Sequence, residues 1–208
     1  MGSIRFSGYD WLIKESATKV GPGPNVFSAA NVVVDEGGLQ LRIAELDAGW
    51  ACAEVIAQGA FGYGTYTWVV ASELTQLDPA VVLGLFTWSD IPDHAHREID
   101  IEFARWGADP VPGASHGWFT VQAGTSDSFG FAFPPAQPSV HGFVWTPERV
   151  TFTSTADGSV STWSYSGTDV PLPGGGVTPR INVWLYRGAP PARAQTITVE
   201  SFAYVAAG

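Results

Sequence analysis

The sequence predicts an all-β fold, a jelly-roll sandwich of two antiparallel sheets, and three observations point there. Gly and Pro, 24 and 15 of the 208 residues, interrupt nearly every window of a dozen residues, which leaves little room for amphipathic helices. Apolar residues instead alternate or cluster in short runs, and turn residues separate those runs along the whole chain. No break in composition marks a linker, so one domain over residues 1–208 is expected, with residues 1–3 read as a leftover of expression.

Taken in order, the runs give roughly a dozen strands. Asn31–Val34 is joined to Leu39–Ile43 through Asp35-Glu36-Gly37-Gly38, a hairpin signal because Gly supplies the positive φ of a tight connection. Cys52–Ala57, Gly64–Ala71 and the apolar run Val81–Trp88 follow, then His96–Ala104, Trp118–Val121 and Gly142–Trp145. Arg149–Ser154 and Val160–Tyr165 flank a second hairpin signal at Ala156-Asp157-Gly158-Ser159, and Ile181–Tyr186 and Thr196–Val205 complete the set. The Pro-rich stretches at Pro134–Pro138 and Pro171–Gly176 read as loops.

Composition excludes several classes of function. Hydrophobic residues at 45% and aromatics at 13% rule out disorder. Twenty acidic against ten basic residues give a net charge of −10, without the Lys/Arg cluster that a phosphate backbone requires, so no nucleic-acid partner is expected. Apolar runs such as Val81–Phe86 fall far short of the ~20 residues that span a bilayer, so no membrane partner is expected either. The lone Cys52 permits no internal disulfide and is expected in the core. The start at Met1-Gly2-Ser3 lacks the basic and apolar segments of an export leader.

The informative segment is His96-Arg97-Glu98-Ile99-Asp100-Ile101-Glu102-Phe103-Ala104. On a strand, Glu98, Asp100 and Glu102 share one face, and Ile99, Ile101 and Phe103 share the other. Three like charges in a row repel one another and use residues that strands avoid, so the arrangement needs a reason. A charged outer strand guarding a sheet edge is one reason. A divalent-cation site is another, although loop ligands of the Asp-x-Asp-x-Asp type are missing. The third is a glycosidase pair, in which one carboxylate attacks the anomeric carbon and a protonated one serves the departing oxygen. Four residues separate the Glu98 and Glu102 α-carbons by about 13 Å. Leaning side chains on a curved sheet could reach the ~5–5.5 Å of a retaining enzyme or the ~6.5–9.5 Å of an inverting one. Asp100 lies between them, where its charge can raise the pKa of a neighbouring Glu by repulsion and its oxygens can hydrogen-bond to orient the attacking Glu.

Glu98-Ile99-Asp100-Ile101-Glu102 resembles the E-x-D-x-E signature of glycoside hydrolase family 16, the lichenases, laminarinases, agarases and xyloglucan-active enzymes. Gly62-Tyr63-Gly64-Thr65-Tyr66, Leu85-Phe86-Thr87-Trp88, Gly142–Val150 with its Trp145-Thr146-Pro147, and Arg180-Ile181-Asn182-Val183-Trp184 resemble further strands of that family in its order. The resemblance implies a concanavalin A-like jelly roll with a concave cleft and retaining, endo-acting hydrolysis of a β-linked polysaccharide, β-glucan foremost. It implies Glu98 as nucleophile, Glu102 as acid/base and Asp100 as helper. A transglycosylase of the same family and a non-catalytic, lectin-like carbohydrate-binding module are the alternatives. The unbroken five-residue motif is similar to that of the lichenase branch, whose catalytic strand has no bulge. The implied protein is a secreted or periplasmic monomer whose export leader lies outside these residues.

Three departures stand out. His96 takes a position usually held by Trp in lichenases, the strand Tyr66–Val70 lacks the basic residue many relatives carry, and Ser201 replaces an Asp with which relatives often hold a structural calcium. No cofactor and no metal site is therefore expected, and Ser201 counts against the one metal the resemblance raises.

Sugar rings stack on aromatic faces while a few polar groups meet their hydroxyls. By resemblance, Trp88 and Trp184 are expected in the cleft with His96, whereas Trp11, Trp68, Trp145 and Trp163 are expected to pack; Trp106 and Trp118 are open. Thr120 and Gln122 alternate onto one face of the strand after the acidic one, and Asn182 shares a face with Trp184, which makes all three hydroxyl-binding candidates. His94, His116 and His141 are too scattered for a metal site or a nucleophile–base pair. Arg97 is expected to pair with a carboxylate near the strand end.

Overall fold

The alternating runs fold into sixteen strands in a computed structural model that describes residues 2–124 and 126–208. In chain order they are β1 (Ser3–Phe6), β2 (Tyr9–Ile13), β3 (Val26–Phe27), β4 (Val32–Asp35), β5 (Gly38–Leu46), β6 (Gly49–Ala57), β7 (Gly64–Val70) and β8 (Val81–Trp88). They continue with β9 (Ile99–Phe103), β10 (Gly117–Gln122), β11 (Ser126–Phe131), β12 (Ser139–Trp145), β13 (Val150–Ala156), β14 (Ser159–Tyr165), β15 (Thr178–Leu185) and β16 (Gln195–Ala206). Helical structure among the described residues is confined to three short 3-10 turns. No helix among them is long and apolar enough to cross a membrane.

The strands form two layers. One runs β1-β2-β6-β15-β8-β9-β10-β11 and the other β4-β5-β16-β7-β12-β13-β14, with antiparallel neighbours throughout. Only the short β3 lies parallel, beside β6. β5 joins the layers: Leu39–Ile43 pair with β16, and Ala44–Leu46 cross over to pair with β6.

Alternation along each strand sends one set of side chains between the layers. Ile99, Ile101 and Phe103 of β9 are fully buried there, as are Tyr66 and Trp68 of β7. Phe119 of β10 stacks on Phe152 of β13 with ring centroids 5.0 Å apart, and Phe103 meets the His141 ring of β12 at 4.7 Å. Trp11, Trp68, Trp145 and Cys52 are buried, and Trp163 packs against the core from its edge.

The jelly roll agrees with the reading from sequence, and both hairpin signals form. Asp35 pairs with Gly38, and Ala156 pairs with Ser159 around Asp157 and Gly158, both at positive φ. β1, β2, β3 and β11 go beyond the strands read from sequence. The β1–β2 turn places Ser7 at φ 51, a conformation a Ser does not advertise. β11 opens on exposed Ser126, Asp127 and Ser128 and turns apolar only at Phe129 and Phe131, of which Phe131 is buried. Ser3 belongs to β1 and the Gly2 carbonyl accepts from the Ile13 amide, while Met1 lies outside the described residues.

One correction concerns the acidic strand itself. It was expected from His96, but β9 begins at Ile99, because His94, Ala95, His96 and Arg97 all take left-handed backbone angles, with φ of 53, 47, 60 and 56°. Such angles cost roughly 1–2 kcal/mol per L-residue, so surrounding contacts must impose them. The Ser89 amide donates to the His96 carbonyl at 2.7 Å and the Thr87 hydroxyl donates to the Arg97 carbonyl at 2.8 Å. Arg97 is buried beneath Gly175, where an added Cβ would lie 2.9 Å from its Cζ, and its Nη1 donates to the Asp93 carbonyl. It meets a backbone oxygen rather than the expected carboxylate.

Candidate active site

The outward face of the β6-β15-β8-β9-β10 layer builds a cleft of about 790 Å³. Register sets its floor in rows. Glu54 of β6 pairs with Asn182 of β15, Asn182 with Gly84 of β8, and Gly84 with Glu102 of β9. In the next row Ile56 pairs with Arg180, Arg180 with Phe86, Phe86 with Asp100, and Asp100 with Thr120. Glu98 precedes β9 and completes the acidic face, its carbonyl accepting from the Gln122 amide. All three acids line the cleft.

Gly84 is what opens the floor between Glu102 and Asn182. A Cβ at 84 would sit 2.5 Å from Asn182 Oδ1. That oxygen is a buried acceptor without a donor from the protein. An acceptor left in this state favours a ligand that brings hydroxyl groups.

The three acids differ in their surroundings. Burial pushes Glu98 up to about 7, while a hydrogen bond with Asp100 and the charge of Arg180 hold it down. Burial and then the Glu98 charge push Glu102 up to about 8. Asp100 is raised well above the carboxylate range by burial, by the charges of Glu98 and Glu102, and by its hydrogen bond to Glu98. Near neutral pH the cluster therefore retains protons, with Asp100 as the group that donates to Glu98.

Trp88, Gln122, Asn182 and Trp184 line the cleft, and so does Trp106. Trp118 lies next to Trp106, with ring centroids 6.3 Å apart, and its indole N–H donates to the Ala104 carbonyl. Two other candidates stand behind the surface. Thr120 is buried beside Asp100 with its hydroxyl 3.0 Å from that of Ser128. The left-handed turn swings His96 off the strand and lays its ring on Trp88, 4.1 Å between centroids and 8° between planes. His96 Nδ1 donates to the Ser89 carbonyl at 2.8 Å, so this ring braces Trp88 instead of lining the cleft.

A charged network on the far wall was missed from sequence. Glu54, with its side chain only 1% exposed, accepts from Lys14 Nζ at 2.7 Å and lies 3.5 Å from Arg180 Nη1. Arg180 Nη2 reaches Asp90 at 3.0 Å, and the Trp88 indole donates to the same Asp90 oxygen at 3.2 Å. The only sequence signal was the alternation that put Glu54 on the face opposite Val55 in an otherwise apolar strand.

No group of three or more His, Cys, Asp or Glu among the described residues is arranged to hold a metal ion. Ser201, on β16 where its pairing passes from β5 to β7, offers only a hydroxyl. His141 is buried between the Ser139 and Ser154 hydroxyls, at 2.8 and 2.9 Å, far into the core side of β12.

No protein-family model matches the chain. No curated protein matches it in sequence either. Solved structures do match. A prokaryotic β-1,3-1,4-glucanase (lichenase) from a mouse hindgut metagenome is similar at 22% identity and TM-score 0.69, covering 93% of this chain and 92% of its own. The β-glucanase of Bacillus licheniformis is similar at 18% identity and TM-score 0.70, covering 98% of each chain. An immunostimulatory antigen and pseudo β-1,3-glucanase of Mycobacterium tuberculosis is similar at 20% identity and TM-score 0.71, covering 95% of this chain and 91% of its own. At such identities the likeness establishes architecture, and the architecture of this chain is that of the lichenase-type β-glucanase jelly roll.

Proposed function

We propose that the chain is a retaining, endo-acting glycoside hydrolase that cleaves a β-linked polysaccharide, β-glucan foremost, by double displacement. The observation that carries this reading is the row of Glu98, Asp100 and Glu102 on the floor of a cleft walled by Trp88, Trp106 and Trp184. In the first step a Glu98 oxygen attacks the anomeric carbon while Glu102 gives its proton to the departing glycosidic oxygen. The glycosyl ester then loses its sugar to a water whose proton Glu102 takes, returning both groups to their starting states. Asp100, protonated, donates a hydrogen bond that aims the Glu98 carboxylate.

Two features support a neutral substrate. Lys14 and Arg180 in the cleft are already paired with Glu54 and Asp90, so neither cation is free for a sulfate or uronate. The indole faces suit unmodified ring carbons.

A second reading has an observation in its favour, since one similar structure is described as a pseudo β-1,3-glucanase. A binding module would keep the cleft and the platforms without turnover. Purified protein incubated with mixed-linkage glucan, laminarin, xyloglucan and agarose, with reducing ends counted, separates the two. Release from a β-glucan is expected; binding without release from any of the four would establish the module. Product chains longer than the substrate would identify a transglycosylase.

A further inference from the structure

The like acids at the two ends of the acidic row pose a problem that Asp100 between them solves only in part. Glu98 and Glu102 are the same residue type, on the same face, both half-buried, and both beside Asp100. Double displacement needs them in opposite states, one charged and one protonated. Asp100 breaks the symmetry in part, because its hydrogen bond goes to Glu98, and a charge outside β9 acts in the same direction.

The charged groups facing this cleft come from several elements. β9 supplies Asp100 and Glu102, and the stretch after β2 supplies Lys14 and Glu15. β6 supplies Glu54, β15 supplies Arg180, and the segment after β8 supplies Asp90, with His96 stacked behind Trp88. Two of these are cations. Lys14 is turned away, its ammonium on Glu54 and the Gly21 carbonyl, each within 2.8 Å.

Arg180 is different. It shares a row with Phe86 and Asp100, and its Nη2 extends to Asp90, two residues beyond the Trp88 that ends β8. One end of the guanidinium lies by Glu54, in the row of Glu102, and the other reaches past Trp88 toward the end of β9 where Glu98 stands. Its side chain is 10% exposed, it is gripped by a carboxylate at each side, and its Nε–H is buried without a protein acceptor. A cation held this way keeps its direction when ligand displaces water, and its field strengthens as the water leaves.

We propose that Arg180 is a positioning residue for the reaction: clamped between Glu54 and Asp90, it holds Glu98 as the carboxylate of the pair and leaves the proton on Glu102. The surroundings of the two acids differ in the same sense: the charge of Arg180 adds to the Asp100 hydrogen bond in holding Glu98 down, whereas Glu102 sits in a row with Gly84, Asn182 and Trp118, none of them a cation. The proposal rests on the glycosidase reading for its catalytic meaning, but the electrostatic claim is measurable without turnover.

The test is a carboxyl 13C titration of Glu98 by NMR in the full chain carrying E102Q, which leaves one glutamate of the pair to titrate. Adding R180M should move the Glu98 midpoint upward by about half to one pH unit, a roughly three- to ten-fold gain in proton affinity, and R180K should restore most of it. Should R180M fail to fold because Glu54 is left short of a partner, R180M/E54Q removes both sides of that contact and is read in the same way. An unmoved midpoint in the folded variant overturns the proposal. In parallel, kcat/KM on a β-glucan with Glu102 intact should show the acid limb rising in R180M while the alkaline limb stays. If the wild type releases no reducing ends from any glucan, the glycosidase reading falls while the NMR titration still decides the role of Arg180. If it is active and the midpoint does not move, the role of Arg180 falls alone.

Discussion

Gly84 and Asn182 face one another across β8 and β15, and the Asn182 carboxamide fills the volume a side chain at 84 would need. Glu102 is the other neighbour of Gly84, so a bare backbone position separates the proposed acid from a buried amide. Gly84→Ala is expected to push Asn182 out of place and narrow the floor. Turnover on a β-glucan should fall about ten-fold or more while far-UV circular dichroism stays unchanged.

The pH dependence of kcat/KM should be a narrow bell. Activity needs Glu98 without its proton, so the rate climbs as pH rises through about 7, and it needs Glu102 with its proton, so the rate falls through about 8. Rates at constant ionic strength from pH 5 to 10 check this. A plateau extending to pH 5 would contradict it.

Glu98→Gln and Glu102→Gln should each depress turnover by orders of magnitude and make the fold more stable. The folded state raises both acids, so between pH 4.5 and about 8 it holds protons that the unfolded chain releases, and stability declines with rising pH across that window. A neutral amide removes that cost, roughly 1–3 kcal/mol at pH 8, and the advantage should vanish near pH 4. Urea melts at the two pH values measure it.

Retention has its own test. Glu102→Ala with azide and an activated aryl glycoside should regain turnover, because a small anion resolves the glycosyl-enzyme without a general base. A β-glycosyl azide is the expected product; an α-anomer would indicate inversion.

His141 should make the fold acid-sensitive. Burial lowers it from 6.5 to about 3, so the native state keeps it neutral while the unfolded chain takes up a proton below pH 6.5. Its contribution is complete above pH 6.5 and lost as pH falls toward 3. The stability difference between wild type and His141→Gln should therefore shrink steadily across that interval in denaturant titrations.

Where local pattern and tertiary environment agree, the sequence was easy to read. Val81–Trp88 is a strand with the bounds its composition suggests, and Glu98, Asp100 and Glu102 share a face because period-2 alternation leaves them no choice. Less was visible where a residue answers to a distant neighbour. Nothing around Arg180 in the chain names Glu54 or Asp90, which lie 126 and 90 positions away and arrive through sheet order. His96 reads as a strand residue because its flanks are strand-like; only Ser89, Thr87 and Gly175 reveal a left-handed turn. β11 was hidden because its first half is exposed Ser and Asp, residues that strands disfavour, and only Phe129 and Phe131 at its end carry an apolar alternation.

That mirror-image loop at 94–97 has a further effect on the strand it introduces. A ribbon with period two is indifferent to sliding by two places and ruined by sliding by one, since a single step would bury three acids and wet two isoleucines and a phenylalanine. Four residues wound in the unfavoured hand, bolted to Thr87 and Ser89, cannot shift along the sheet without unwinding. They work as a doorstop, and the conformational penalty they carry is what keeps the acids pointing outward.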